Sequence, residues 1–183
     1  MNAPTRRARS AIKLRQQAEK LLAECNVIRP PVQVDKVAAH LGATVKYSPF
    51  EGELAGVLAR DDARVVIGVN SSHHPNRQRF TIAHECGHLM LHEGEAYVDT
   101  GFRVNWRDDV SSMAVDYKEI EANRFAAELL MPYKMLIADL QEHGVDLENE
   151  GAIKTLAKRY GVSEQAMTHR ISNLMEERLN NRR

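Results

Sequence analysis

The chain has 183 residues, with 25 Lys and Arg balanced by 25 Asp and Glu, and it is 43% apolar, 27% charged and 5% aromatic. This is the composition of a globular protein with room for one sizeable core, and it excludes a disordered tail, a coiled-coil rod and a collagen-like repeat. Zero net charge argues against a protein that blankets nucleic acid, the apolar runs fall well short of the ~20 residues that span a bilayer, and Cys25 and Cys86 cannot make a disulfide framework. Arg6, Arg7 and Arg9 precede no apolar run, so the start reads as a solvated leader and not as a secretory signal; a soluble cytoplasmic protein is expected.

Residues 8–25 predict a helix whose apolar face is Ile12, Leu14, Ala18, Leu21, Leu22 and Cys25. Pro30 and Pro31 break the pattern. Val34, Val37, Ala38 and Leu41 then predict a short helix stopped by Gly42. The period next changes to two, giving short strands at 43–48, 54–60 and 64–69, with Asp61 and Asp62 suited to a hairpin turn; a small, mostly antiparallel sheet is expected. Asn76 to His92 predicts a helix that is apolar on most sides, hence buried. Residues 93–115 are irregular, although Phe102, Val104 and Trp106 alternate in a way that permits a strand. Helices follow at 116–131, ended by Pro132, and at 133–142, 151–160 and 163–179, the last two joined at Gly161.

Within the buried helix lies His84-Glu85-Cys86-Gly87-His88, an H-E-x-x-H sequence. Helix positions i and i+4 stand about 40° apart in azimuth and one turn apart in height, so both imidazoles can reach one small cation. Glu85 overhangs the same face, placed to take a proton from a water at the metal without being a ligand. Two histidines and a glutamate would be costly to bury in such a helix without a partner. Zinc at a catalytic site takes three protein ligands and leaves one position open. The third ligand is sought in Glu119-Ile120-Glu121-Ala122-Asn123, where Glu119 and Glu121 point about 200° apart and only one can face the site. Glu119 is preferred, because Asn123, at i+4, could then steady a ligand histidine; Glu121 is the alternative.

The stretch from Arg77 to His92, followed by Glu119 to Pro132, resembles the ImmA/IrrE family of zinc metallopeptidases over roughly residues 10–135. The resemblance implies a zincin-like core with two His and one Glu as ligands. It also implies regulated cleavage of a helix-turn-helix repressor, and a substrate added as a strand to a sheet edge, for which Leu54 to Arg60 is the candidate. Cys86 departs from the family pattern, where Leu or another apolar residue is commoner; it reads as a small buried hydrophobe.

Gly87 costs about 1 kcal/mol in a helix relative to Ala, so its use should be to admit another element close to the site. His92 reads as a structural or surface residue, although it could hydrogen-bond a ligand, and His73 and His74 read as solvated loop residues. Tyr97, Tyr117, Tyr133 and Arg124 lie where an oxyanion donor could come from, and the sequence does not choose among them. Leu156 to Leu174 has helix-turn-helix spacing, with Gly161 in the turn and Ser163 as a cap. DNA binding through 151–179 would lean on His169 and Arg170 beside several acids, so a pair packed on the core or docking a protein is preferred.

These readings converge on an α+β protein: an N-terminal helix (1–30), a zincin-like metallopeptidase core with a three-stranded sheet and active-site helix (31–142), and a C-terminal helical pair (143–183). His84, His88 and Glu119 would hold Zn²⁺ and Glu85 would be the catalytic base. The substrate expected is a helix-turn-helix (XRE-type) repressor, with no membrane partner. The alternative is a non-cleaving metal-binding regulator, or a toxin–antitoxin component, that acts by binding a repressor or DNA.

Overall fold

Ser10 opens the first helix by accepting a hydrogen bond from the Lys13 amide, and α1 (Ala11–Glu24) buries Leu14, Ala18, Leu21 and Leu22. Ile12, counted on that face from the sequence, lies exposed. The structure, a computed structural model, describes residues 9–52, 54–60, 64–92, 97–99, 116–142 and 150–180. Helix α2 (Val34–His40) is closed at Leu41 and Gly42, the glycine taking the left-handed conformation (φ +80°) that ends helices. Then come β1 (Ala43–Ser48), β2 (Gly56–Arg60), β3 (Val65–Asn70), α3 (Pro75–Leu91), β4 (Tyr97–Asp99), α4 (Asp116–Leu130), α5 (Tyr133–Glu142), α6 (Glu150–Tyr160) and α7 (Glu164–Asn180).

The sheet departs from expectation in two ways. It has four strands in the order β1-β3-β2-β4, and β1 runs parallel to β3, Ala43 facing Val65 and Tyr47 facing Val69. The hairpin partners β2 and β3 are antiparallel, as expected, with Leu58 opposite Ile67. The cause of the parallel pairing is the excursion between β1 and β2. Buried Asn70, at the end of β3, donates to Leu54 O at 2.9 Å, accepts from Phe50 N, and receives the Ser72 amide. That side chain ties the connection across the sheet end, so β2 emerges on the far side of β3 from β1. The Asp61–Asp62 turn and the Phe102–Trp106 alternation lie outside the described residues.

The expectation that Leu54 to Arg60 forms a free substrate-binding edge is also corrected. β2 lies inside the sheet, paired with β3 on one side and, through Gly56, Val57 and Leu58, with Asp99, Val98 and Tyr97 of β4 on the other. Its backbone groups over that span are already in ladders.

Helix α3 packs against β2 and β3 on one side and against α4 on the other; α1 rests on α4, and α2 on β1 and α3. One hydrophobic core runs from Leu14 through Ile67, Ile82 and Phe125 to Tyr160, Met167 and Leu174. The C-terminal pair thus joins the main core. Gly161 (φ +65°) turns the chain between α6 and α7, and Arg79 of α3 donates to its carbonyl at 3.0 Å and to Val32 O at 2.9 Å. Ser163 caps α7 through the Ala166 amide. Arg170, the residue on which a DNA contact was to depend, is buried; it holds Glu128 and donates to Met131 O at 3.2 Å. No helix among the described residues is long and apolar enough to cross a membrane.

Candidate metal centre

Pro75 starts α3 at a position where its missing N–H costs nothing, and the His74 side chain caps the helix by accepting from the Asn76 amide at 3.2 Å. From Thr81 to His88 every residue of α3 is buried, including His84, Glu85 and His88. The close neighbour that makes this possible is α4. A Cβ on Gly87 would stand 3.0 Å from Ala122 Cα and 3.2 Å from Ala122 O, so the glycine is what lets the two backbones meet, as its place in the motif predicts. On the sheet side, a Cβ on Gly56 would stand 2.3 Å from Thr81 Cγ2 and 3.3 Å from Glu85 Oε1, which places β2 directly over Glu85.

This approach brings Glu119, at the start of α4, onto the two histidines. His84 Nε2 lies 3.2 Å from one Glu119 oxygen and His88 Nε2 lies 3.2 Å from the other, while the two Nε2 atoms stand 2.9 Å apart. The three residues form a candidate metal site. Four donors about 2.0 Å from a tetrahedral ion are separated by roughly 3.3 Å, so the observed spacings fit a small divalent cation. The outer nitrogens are engaged as well. His84 Nδ1 donates to Asn123 Oδ1 at 2.8 Å, which leaves its Nε2 as a lone pair facing the cluster. The Glu119 side chain is 37% exposed against 1% and 2% for the histidines, so solvent reaches the cluster from the carboxylate side.

Glu121, the alternative ligand, points elsewhere, as the angle between the two acids requires. It accepts from His92 Nε2 at 3.1 Å and from the backbone and guanidinium of Arg9. Arg9 also donates to Leu91 O at 2.8 Å, so this residue of the supposedly solvated leader is anchored at the end of α3. His92, read from the sequence as structural or surface, is buried and bonds His88 Nδ1 at 3.0 Å. Burial is the main reason its imidazole is pushed down to about 4, with Glu121 opposing and His88 adding to the shift.

Among the described residues the other histidines are not part of the cluster, and His74 is an exposed helix cap. Cys86 is fully buried, and burial pushes its thiol up, which fits a small hydrophobe and not a redox group. Among the oxyanion candidates, Tyr133 lies under the Arg15 guanidinium at 4.3 Å, Tyr117 meets His92 edge-on, and Arg124 is exposed; the side chain of Tyr97 lies outside the described residues.

A peptidase-family profile described as the IrrE N-terminal-like domain matches residues 38–172, well over half of the chain. The chain belongs to this family. The match starts later than the resemblance read from the sequence and runs on through α6 into α7, so most of the C-terminal pair falls within it. The "Uncharacterized immunity region protein 2" of Bacillus phage phi105 is 30% identical over 97 residues, covering 53% of this chain and 57% of the relative. A solved structure described as a Mycobacterium tuberculosis transcriptional regulator superposes with a TM-score of 0.59 at 19% identity, covering 87% of this chain and 47% of that one. The chain therefore spans about half the length of the proteins it matches, and the second likeness is one of fold. Membership in a peptidase family supports a peptidase role.

Arg9 was missed as a site residue because its partner lies 112 positions away. His92 carried a readable signal, since His84, His88 and His92 repeat at four-residue spacing along one face.

Proposed function

We propose that this chain is a zinc-dependent endopeptidase that cleaves a helix-turn-helix (XRE-type) transcriptional repressor and so relieves repression in a phage, mobile-element or stress-response circuit. The observation that carries the reading is the convergence of His84 Nε2, His88 Nε2 and the Glu119 carboxylate, all within 3.2 Å of one another. Two imidazoles and one carboxylate are a donor set that suits catalytic zinc and leaves a fourth position for solvent.

When bound, Zn²⁺ supplies Lewis acidity that makes water acidic near neutral pH and polarises a carbonyl. The rest of the chemistry falls to the chain. His84, held by Asn123, and His88 present their Nε2 lone pairs, and Glu119 adds the negative charge that offsets part of the dication. Glu85, buried on α3 between them, accepts the proton of the attacking water and delivers it to the leaving amine. The substrate assignment is supported by the family and by the phage immunity-region relative.

The test is Glu85→Gln, assayed with the purified chain and the repressor encoded beside it. The variant should keep about one zinc per chain and lose cleavage by at least ~100-fold, the usual weight of a general base. Persistent cleavage would remove Glu85 from the role. A wild-type chain that binds zinc and repressor without ever cutting would establish the non-cleaving regulator instead.

A further inference from the structure

We propose that His92, Glu121 and Arg9 form a positioning chain that fixes His88 as a metal ligand, so that a residue ahead of α1 helps set the affinity of the site. This rests on the reading of His84, His88 and Glu119 as the ligands.

The argument is one of proton placement. His88 Nδ1 faces His92 Nδ1 at 3.0 Å, and His92 Nε2 faces a Glu121 oxygen at 3.1 Å. A carboxylate only accepts, so His92 must carry its proton on Nε2 and donate it to Glu121. With a neutral ring, His92 Nδ1 is then a lone pair, and His88 must supply the proton between the two Nδ1 atoms. His88 is thereby held in the tautomer whose Nε2 lone pair points at Glu119 and His84. For neutral rings no other arrangement satisfies both contacts. Reversing it would set a lone pair against the Glu121 carboxylate inside the protein, where unpaired polar contacts are most costly.

The far end is tied down as well. The Glu121 and His92 side chains are each only 2% exposed. Arg9 balances the buried carboxylate with its guanidinium and its backbone N–H, and its second terminal nitrogen bonds Leu91 O at the last turn of α3. One arginine therefore joins the end of the helix bearing the histidines to the helix bearing Glu119. A purely structural ion pair would need no member touching a ligand nitrogen; this one ends on His88 Nδ1. Outer partners of ligand histidines change metal affinity by about 10–100-fold when removed.

The experiment measures zinc affinity of the full chain by competition with a chromophoric chelator, with folding checked by circular dichroism. His92→Phe, which keeps bulk but neither accepts nor donates, should weaken zinc binding by about 10–100-fold. His92→Gln, whose amide can accept from His88 and donate to Glu121, should restore most of it. Arg9→Gln should weaken binding in the same direction by less. In the zinc-loaded wild type, nitrogen-15 NMR should show a scalar coupling across the His88 Nδ1–H···Nδ1 His92 hydrogen bond, a readout that holds even if His92→Phe fails to fold. His88→Ala serves as the control. If it abolishes zinc binding while His92→Phe binds like wild type, or if the coupling is absent, the positioning chain is overturned and the ligand set stands. If His88→Ala itself keeps full affinity, the ligand reading falls and the chain with it.

Discussion

At Gly87 two effects compete. Replacing it with Ala should gain about 1 kcal/mol of helix propensity. The new Cβ, however, would sit 3.0 Å from Ala122 Cα and 3.2 Å from Ala122 O, and neither is a side-chain tip that can swing away. Overpacking of this kind costs about 1–3 kcal/mol, so Gly87→Ala should lower stability, measured as a fall in the urea midpoint; a rise would mean that α4 moves aside without strain. The residue scale is also where the sequence was most legible for the candidate ligands. The spacing of His84 and His88 and the angular separation of Glu119 from Glu121 follow from helix geometry alone, and the structure brings His84, His88 and Glu119 into one cluster. Arg9 and Asn70 were not legible, because what they do is decided by contacts with remote backbone and side chains that leave no periodic trace.

Between elements, buried polar links carry predictions of their own. Arg170 on α7 and Arg15 on α1 share the buried Glu128 of α4. Arg170→Ala would leave Glu128 with one cationic partner and Met131 O without its donor. A loss of about 3 kcal/mol is expected, the low end for breaking a buried pair because Arg15 remains. Calorimetry or urea unfolding checks it, and an unchanged midpoint would show that Glu128 is satisfied without Arg170. A second link is pH-dependent. Tyr160 of α6 is fully buried and donates to Asp139 of α5 at 2.8 Å; burial first, then that bond, raises its phenol far above the ordinary 10. A tyrosine raised on folding adds stability that is intact below the unfolded value and disappears as pH climbs past it. The urea midpoint should hold up to about pH 10 and fall above it, and Tyr160→Phe, weaker by about 1 kcal/mol at neutral pH, should show a shallower alkaline fall. Equal alkaline slopes would remove Tyr160 from that role. The helices themselves were readable to within three residues, because the 3.6-residue period and the stops at Gly42, Pro132 and Gly161 are local signals. Strand order was not. Whether β1 joins β2 or β3 depends on Asn70 and the path of residues 49–55, and a two-residue period cannot report a neighbour.

For the molecule as a whole, α1, α6 and α7 all contribute buried side chains to one hydrophobic core. The family match over residues 38–172 likewise takes in most of the C-terminal pair. The pair's turn chemistry reads the same whether it faces DNA or a core, and only the buried position of Arg170 separates the two. What the assembly achieves is the delivery of one acid from α4 onto two histidines of α3, with β2 laid over Glu85. Zinc-edge X-ray absorption on the zinc-loaded chain tests that most directly. The expected spectrum has nitrogen and oxygen donors at about 2.0 Å, the multiple-scattering signature of two imidazoles, and no sulfur at about 2.3 Å. A sulfur shell, a sphere filled by four protein side chains, or a chain that retains no zinc would contradict it.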